Sequence, residues 1–240
     1  MAGLRATGVS RAYEGVAALQ GVDLDVRRHE IVGLIGPNGA GKTTLVNCMT
    51  GFDLPDTGAV ALDEREITRW PVARRARAGL ARTFQHGHLF KGLSVRENVE
   101  VAALGVGRSA RAARRRAREL LGLLNLQDRV EQDAGLLPHG EEMKLGVARA
   151  LATEPRYVLM DEPAAGLSDS EVPAFADVLR SVRDEHEAGV LVIDHHMALI
   201  MGVCDRVYVL DQGKLIAQGP PEAVRRDVQV AAAYLGAGRA

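Results

Sequence analysis

Short apolar runs alternate with longer amphipathic segments along most of the chain. Four runs are rich in β-branched residues and contain no charged position: 31–35, 157–160, 190–193 and 207–210. This pattern is typical of strands that are covered on both faces, as in a parallel sheet. Three segments carry apolar residues at helical spacing: 94–104, 109–124 and 140–151. The alternation predicts an α/β fold whose middle third is mostly helical.

The first thirty residues follow a different pattern, in which apolar and polar positions alternate. Their apolar positions include Val16, Leu19, Val22, Leu24 and Val26. Together with 59–62 they predict a half-exposed antiparallel layer beside the parallel sheet. The sequence contains no internal repeat and no long linker, so we expect one domain.

Composition and charge exclude several classes of protein. The chain has 240 residues, of which 47% are hydrophobic and 25% charged, and its net charge is −1. These values are ordinary for a globular domain and give no overall attraction to nucleic acid or anionic membranes. Cys48 and Cys204 have neither metal-site nor disulfide spacing, so we expect buried reduced thiols. No segment approaches the about 18 apolar residues that span a bilayer, so we expect a chain that is neither exported nor membrane-spanning.

Two segments are rich in arginine. One contains six arginines: Arg108, Arg111, Arg114, Arg115, Arg116 and Arg118. It has no interleaved aromatic residues for base stacking, which favours a solvated helix face over nucleic-acid binding. Arg74, Arg75 and Arg77 receive the same interpretation, with an inter-subunit contact as the alternative.

A glycine-rich loop follows the first of the four apolar runs. The segment Gly36-Pro-Asn-Gly-Ala-Gly-Lys42-Thr43 fits the pattern G-x-x-x-x-G-K-[ST] and precedes a helix predicted to begin near Lys42. Glycines let backbone N–H groups approach a triphosphate closely, and the helix N-terminus adds positive charge. Lys42 is then placed to neutralise the β- and γ-phosphates, and the Thr43 hydroxyl to ligate Mg²⁺. The segment predicts a site for ATP and magnesium.

Polar residues follow two of the other apolar runs. Asp161 and Glu162 end the run at 157–160, and His195 lies just after the run at 190–193. Parallel strands end at one edge of the sheet, so these side chains are expected beside the glycine-rich loop. We predict that Asp161 holds Mg²⁺ through water, that Glu162 polarises the attacking water, and that His195 senses the γ-phosphate.

These residues resemble the ATP-binding cassette (ABC) ATPase family, and the resemblance runs in the right order along nearly the whole chain. It implies a P-loop NTPase fold with a RecA-like core sheet, an antiparallel β-subdomain and an inserted α-helical subdomain. The Walker A loop extends to Thr44, and Tyr13 resembles the aromatic residue that stacks on adenine. Gln85 matches the Q-loop glutamine, which reaches the metal and the attacking water. The resemblance implies that the nucleotide-binding residues are Tyr13, Gly36, Pro37, Asn38, Gly39, Ala40, Gly41, Lys42, Thr43 and Thr44.

Two further segments resemble family landmarks that act on a second subunit. Leu137, Pro138, His139, Gly140 and Glu141 occupy the position of the signature segment. Gly166, Leu167 and Ser168 resemble the D-loop. The usual signature is Leu-Ser-Gly-Gly-Gln, so Pro138 replaces the serine and offers neither hydroxyl nor N–H, and His139 replaces the first glycine. The partner's nucleotide site, which this segment completes, is therefore expected to be the weaker one.

The resemblance also implies a division of the chain. It places the nucleotide-binding core at 1–85 and 153–219, the helical subdomain at 86–152, and a C-terminal helical tail at 220–240. The segment 86–98 corresponds to the groove that receives a permease helix, with Leu89, Phe90 and Leu93 as apolar contacts.

Several strings resemble the cassettes of branched-chain amino acid importers. Examples are Gly79-Leu-Ala-Arg-Thr-Phe-Gln85 and the terminal Ala233-Tyr-Leu-Gly236. The resemblance implies an ATP-hydrolysing import subunit peripheral to the cytoplasmic face of the plasma membrane. Its expected partners are a second cassette, non-identical or identical, transmembrane permeases and, indirectly, a solute-binding protein. Nucleic acid is not expected as a partner.

Other functions are compatible with the same motifs. One is a cassette for another solute, such as urea, or for lipopolysaccharide export. A second is a cassette that binds ATP as a clamp but hydrolyses it weakly, which the altered signature favours. A soluble cassette in DNA repair or translation would usually carry two cassettes or a long coiled-coil insert, and this sequence has neither.

Overall fold

Two β-sheets form the framework of the structure, a computed structural model that describes residues 2–83 and 89–236. The smaller sheet is antiparallel and contains, numbered in chain order, β1 (Leu4–Tyr13), β2 (Val16–Val26), β4 (Thr57–Leu62) and β5 (Arg65–Glu66). Its spatial order is β2-β1-β4-β5. Leu4 pairs with Val26 on one side and with Leu62 on the other, and all three are buried. This is the antiparallel layer that the alternating pattern predicts.

The larger sheet contains six strands: β3 (Ile31–Ile35), β6 (Leu80–Arg82), β7 (Tyr157–Asp161), β8 (Gly189–Ile193), β9 (Arg206–Asp211) and β10 (Lys214–Gly219). Its spatial order is β10-β9-β3-β8-β7-β6, and all neighbours are parallel except β9 and β10. The four predicted apolar runs are its central strands. Their carboxyl ends meet at one edge, where the predicted site residues lie.

Both faces of this sheet are covered, which explains the unbroken apolar runs. Val32 and Leu34 of β3 pack with the inner face of the antiparallel sheet. Ile31 and Ile35 of the same strand pack with helices on the other side. Neighbouring strand residues point to opposite faces, so a strand between two cores has no position left for a polar side chain.

Nine helices complete the described part of the chain: α1 (Lys42–Thr50), α2 (Val72–Arg77), α3 (Val95–Gly105), α4 (Ala110–Leu123), α5 (His139–Ala152), α6 (Val172–Asp184), α7 (Met197–Val203), α8 (Pro221–Arg225) and α9 (Val228–Gly236). Helices α3, α4 and α5 pack against one another through Val99, Ala117 and Val147. They match the three segments of predicted helical periodicity to within two residues at each end.

Serine residues explain where two of these helices begin. Ser94 accepts a hydrogen bond from the N–H of Glu97, whose carboxylate accepts one from the N–H of Ser94. This reciprocal capping box satisfies two backbone donors at the start of α3. Ser109 caps α4 with a single bond, in which its hydroxyl accepts from the N–H of Ala112.

The prediction of a solvated side chain is wrong for Arg75, which is 1% exposed. Its Nη1 donates to the carbonyl oxygens of Cys48 at 2.8 Å and Met49 at 2.7 Å, near the end of α1. Its Nη2 donates to Thr68 at 2.7 Å, and its Nε donates to Trp70 at 3.0 Å. The guanidinium is buried because it supplies donors to carbonyls that α1 leaves unpaired at its end.

Other expectations on composition are confirmed. Arg111, Arg114, Arg115 and Arg118 are exposed on α4, whereas the side chain of Arg116 is only 15% exposed and donates to the carbonyl of Leu151. Both cysteines are buried free thiols, and burial raises the pKa of Cys48 to about 11 and that of Cys204 to about 12.

Candidate functional site

The loop between β3 and α1 contains three glycines with backbone angles that side chains rarely adopt. The angle φ is 151° at Gly36, 78° at Gly39 and 103° at Gly41. A Cβ on Gly36 would lie 2.0 Å from the carbonyl oxygen of Leu210, and one on Gly41 would lie 2.4 Å from that of Ala18. Both neighbours are backbone atoms held in sheets, so both positions require glycine.

The first turn of α1 follows this loop directly. Gly41 is the N-cap without a side-chain cap, and the N–H of Leu45 donates to the Gly41 carbonyl over 2.9 Å. The N–H groups of Lys42, Thr43 and Thr44 therefore have no acceptor within the helix. Together with the helix dipole they form a positive end suited to a phosphate.

Lys42 lies across the loop. Its Nζ donates to the carbonyl oxygens of Gly36 at 2.7 Å and Pro37 at 2.9 Å. Burial lowers the pKa of its ammonium group, and the charges of Glu162 and Asp161 act in the opposite direction. The structure thus brings the lysine within electrostatic reach of both carboxylates that end β7. Of the remaining loop residues, Asn38 is exposed and Ala40 is buried.

Asp161 and Glu162 differ in environment although they are adjacent. Asp161 is 6% exposed, and its Oδ2 accepts a hydrogen bond from Nη2 of Arg82 at 3.1 Å. Glu162 is half-buried with a φ of 49°, and its N–H donates to the carbonyl of Ile193 at 2.7 Å. A left-handed backbone is uncommon for a residue with a side chain and is often found at functional sites.

The donor set at this edge fits magnesium carried by a phosphate ligand. In residues 2–83 and 89–236, no three His, Cys, Asp or Glu side chains are grouped closely enough to hold a metal ion. Magnesium is usually bound by one or two carboxylates together with substrate phosphates. Asp161 and the exposed Thr43 hydroxyl are the groups that would hold it.

Asp194 organises the end of β8. It is 2% exposed, its Oδ2 accepts from the N–H of Ala164 at 3.1 Å, and its Oδ1 accepts from the N–H of His196 at 2.8 Å. It therefore ties the segment after β7 to the segment after β8. His195 lies between these contacts with its side chain 76% exposed, and its Nδ1 is 3.9 Å from Oδ1 of Asp194. The exposed imidazole can reach a ligand at the sheet edge.

Two tyrosines, Tyr13 and Tyr234, contact residues that lie far from them in the sequence. Tyr13 is 41% exposed, its hydroxyl donates to Asp53, and the Arg11 guanidinium lies 4.8 Å from its ring centroid. The hydroxyl of Tyr234 on α9 lies near the backbone of Gly36, and burial raises its pKa. The C-terminal helix therefore contacts the first residue of the loop.

The signature segment lies at the start of α5. Leu137 is buried, and Pro138 is the N-cap without a side-chain cap bond. His139 is 51% exposed, with its Nδ1 3.6 Å from the Glu142 carboxylate. Glu141 pairs with Arg129 of the preceding segment.

The D-loop packs against this helix. A Cβ on Gly166 would lie 2.5 Å from Cδ2 of His139. Glu171 accepts from the N–H of Ser168 at 3.0 Å and from the Lys144 ammonium of α5 at 2.9 Å, and these bonds lower its pKa to about 2. The half-buried Leu167 packs against the helical core. The two segments predicted to face a second subunit are therefore neighbours within one chain, whereas Gln85 lies outside the described residues.

A comparison with family models identifies the chain. Residues 19–165 match the model described as ABC transporter. The chain belongs to the ABC transporter ATP-binding family. Residues 214–240 also match the model described as branched-chain amino acid ATP-binding cassette transporter. The cassette is thus a nucleotide-binding ATPase of a family whose hydrolysis is coupled to transport, in which cassettes dimerise and work with transmembrane permeases.

The cassette is similar to curated proteins over almost its whole length. It is 39% identical to the high-affinity branched-chain amino acid transport ATP-binding protein LivG of Salmonella typhimurium, with 97% of each chain covered. It is 38% identical to the corresponding protein BraF of Pseudomonas aeruginosa, again over 97% of each. It is 37% identical to the lipopolysaccharide export system ATP-binding protein LptB of Escherichia coli, over 98% of each.

Solved structures agree with the fold. A crystal structure of the ADP conformation of an ATP-binding cassette of an ABC transporter superimposes with a TM-score of 0.86 at 28% identity, covering 98% of this chain and 99% of the other. The expected α/β P-loop architecture is confirmed. Among the helices of the described ranges, none is both long and apolar enough to traverse a bilayer.

Four contacts of the cassette's site escaped prediction from the sequence: those of Arg82, Asp194, Tyr234 and Glu171. Each of them has one partner far away in the sequence: Asp161 for Arg82, Ala164 for Asp194, Gly36 for Tyr234 and Lys144 for Glu171. Asp194 lies directly after the apolar run 190–193 and directly before His195. An aspartate at the predicted end of a strand is the local signal that could have indicated a role for Asp194. For Arg82 and Tyr234 no local signal exists.

Proposed function

We propose that this cassette is the ATP-hydrolysing subunit of an importer for branched-chain or related amino acids. The observation that carries the solute class is the match of residues 214–240 to the branched-chain amino acid cassette model. Similarity to LivG and BraF over 97% of the chain supports it.

The geometry at the sheet edge supports hydrolysis at this chain's own site. In the proposed reaction, the N–H groups of the first turn of α1 and the Lys42 ammonium bind the β- and γ-phosphates. Glu162 accepts a proton from the attacking water, and Gln85 and His195 orient the water and the γ-phosphate. Magnesium, held by Thr43 and Asp161, would neutralise charge that develops on the phosphate oxygens.

The site requires a second cassette to be complete. We propose that the segment from Leu137 to Glu141 faces the nucleotide bound by the partner, so that ATP favours the closed dimer and hydrolysis releases it. The departures at Pro138 and His139 point to two non-identical cassettes, with the weaker site on the partner. Tyr13 would stack on the adenine of this chain's own nucleotide.

A cavity beside helix α5 supports the proposal that a permease binds this face of the cassette. It has a volume of about 220 Å³ and lies between α1, β6 and α5, with Phe52 and Arg149 in its wall. Arg149 stacks on Phe90, which is 46% exposed. We propose that a permease helix docks here and moves residues 86–152 relative to the core. The cassette would then lie on the cytoplasmic face of the plasma membrane.

A second candidate is lipopolysaccharide export, because LptB is 37% identical to this chain over 98% of its length. Solute uptake separates the two. We would measure uptake of labelled leucine in native cells that carry the wild-type cassette or Glu162→Gln, with Glu64→Gln as a control in an exposed turn.

Import predicts that Glu162→Gln abolishes leucine uptake while Glu64→Gln leaves it intact. Co-purification of the tagged cassette from detergent-solubilised membranes should also recover permeases and a second cassette. Unchanged uptake together with a defect in surface lipopolysaccharide would contradict import and establish export.

A further inference from the structure

Arg82, the last residue of β6, is a buried arginine beside the predicted metal site. Its side chain is 8% exposed, as is that of Asp161, with which it forms an ion pair at 3.1 Å. A buried carboxylate with one cationic partner takes its orientation from that partner.

The guanidinium joins three parts of the site. Its second amino group donates to Oδ1 of Asn47 on α1 at 2.5 Å. The next residue, Thr83, accepts a hydrogen bond from the N–H of Asp161 at 3.3 Å through its hydroxyl. Arg82 and Thr83 thus hold both the side chain and the backbone of Asp161, and they anchor that carboxylate to the helix that follows the P-loop.

We propose that Arg82 is a positioning residue that orients the Asp161 carboxylate for magnesium. The inference rests on the proposed function, since it assigns Asp161 to the metal. Arg82 does not touch the nucleotide in this assignment; it acts through Asp161, as residues that hydrogen-bond a ligating carboxylate do in other metal sites.

A purely structural role would predict contacts like those of Arg75. That arginine is more deeply buried, and all its acceptors are backbone carbonyls. Arg82 instead donates to three side-chain acceptors, those of Asn47, Thr50 and Asp161, and the last is the carboxylate predicted to hold the metal. Arg82 lines the cavity between α1, β6 and α5, so a shorter side chain at this position would enlarge that cavity.

The test is calorimetric titration of ADP with and without Mg²⁺. We expect Arg82→Gln to weaken ADP binding in Mg²⁺ by roughly 10- to 100-fold and to leave binding in EDTA unchanged. Asn47→Ala, which keeps the ion pair but removes its second anchor, should shift the Mg²⁺-dependent affinity in the same direction by less.

Arg156→Gln is the matched control, because Arg156 pairs with Asp63 beside the opposite end of β7. It should lower the melting temperature without changing the effect of Mg²⁺. Equal Mg²⁺ dependence in the wild type, Arg82→Gln and Asn47→Ala would overturn the inference; if Arg82→Gln does not fold, Asn47→Ala decides alone. A wild type that binds no ADP in either buffer would instead contradict the proposed function.

Discussion

The P-loop and the signature segment each end in a helix N-terminus, but different contacts hold them. The P-loop is fixed by backbone against backbone, since Gly36 and Gly41 approach carbonyl oxygens too closely for any side chain. In the signature segment, by contrast, the N-cap residue Pro138 makes no side-chain cap bond and His139 is half-exposed. Replacing a glycine that lies against a backbone carbonyl forces the backbone to move, whereas replacing an exposed side chain changes the free energy of unfolding little.

This difference explains which motif keeps its family pattern in this chain. In the P-loop, Gly36 and Gly41 are needed for the shape of the loop, and Lys42 and Thr43 are the residues predicted to contact the phosphates and magnesium. At the signature, Gly140 keeps the close approach to the D-loop, with a virtual Cβ 3.2 Å from the carbonyl of Gly166. The two positions before that contact, Pro138 and His139, are the ones that depart from the family pattern.

Of the variants considered, Glu162→Gln is expected to have the largest effect. It tests whether ATP is hydrolysed at the site that contains this chain's P-loop. A general base contributes about 10²- to 10⁴-fold to a rate, so we expect steady-state ATPase activity to fall by that factor while ATP binding is kept. Glu64→Gln, in an exposed turn, should leave the rate unchanged. Equal turnover in Glu162→Gln would remove this residue from the role of base.

Lys42→Ala tests the binding function of the P-loop. A hydrogen bond to a charged group is worth about 1.5–3 kcal/mol, so we expect the dissociation constant for ATP to rise by roughly 10- to 100-fold. Calorimetry measures it, with the exposed Lys214→Ala as the control. Preserved affinity would show that this lysine does not engage the phosphates.

Pro138→Ser tests whether a serine in the signature segment raises ATP turnover at the partner's site. The serine would supply a hydroxyl and an N–H at the start of α5, and one neutral hydrogen bond is worth about 0.5–1.5 kcal/mol. We expect roughly a two- to tenfold rise in ATP turnover of the assembled cassette pair. Pro220→Ser adds a serine at the exposed N-cap of α8, so a similar rise there would show that the effect is one of stability alone.

Glu171→Gln has the smallest expected effect and probes the link between the signature helix and the D-loop. The folded pKa of Glu171 is about 2, below the ordinary value of 4.5. Its stabilisation is therefore fully present above pH 4.5 and is lost as the pH falls through 2. Because the side chain is 44% exposed, we expect only about 0.2–1 kcal/mol at pH 7.

Urea unfolding of both proteins between pH 7 and pH 2 measures this contribution. The difference in stability between wild type and Glu171→Gln should shrink as the pH falls below 4.5, and Glu185→Gln, at an exposed position, serves as the control variant. A difference that is constant with pH would rule out the ion pair with Lys144 as its source.

The sequence by itself determined the order of elements and most of the candidate site. Apolar runs predicted the central strands because both of their faces are covered, and Ser94 marked a helix start through a contact only three residues long. The P-loop was visible because its glycines and Lys42 are adjacent in the chain. These features are visible in the sequence because each depends on residues that are close together in the chain.

Tertiary structure alone decided which charged residues are buried and what they hold. Arg75 and Arg74 are neighbours in one basic run, yet only Arg75 meets the end of α1, 26 and 27 residues away. The pairing of Arg82 with Asp161 spans 79 residues, and Tyr234 reaches Gly36 from the far end of the chain. The sequence shows that a residue is arginine but not whether it is exposed or buried. Its role depends on the acceptors that the fold brings to it.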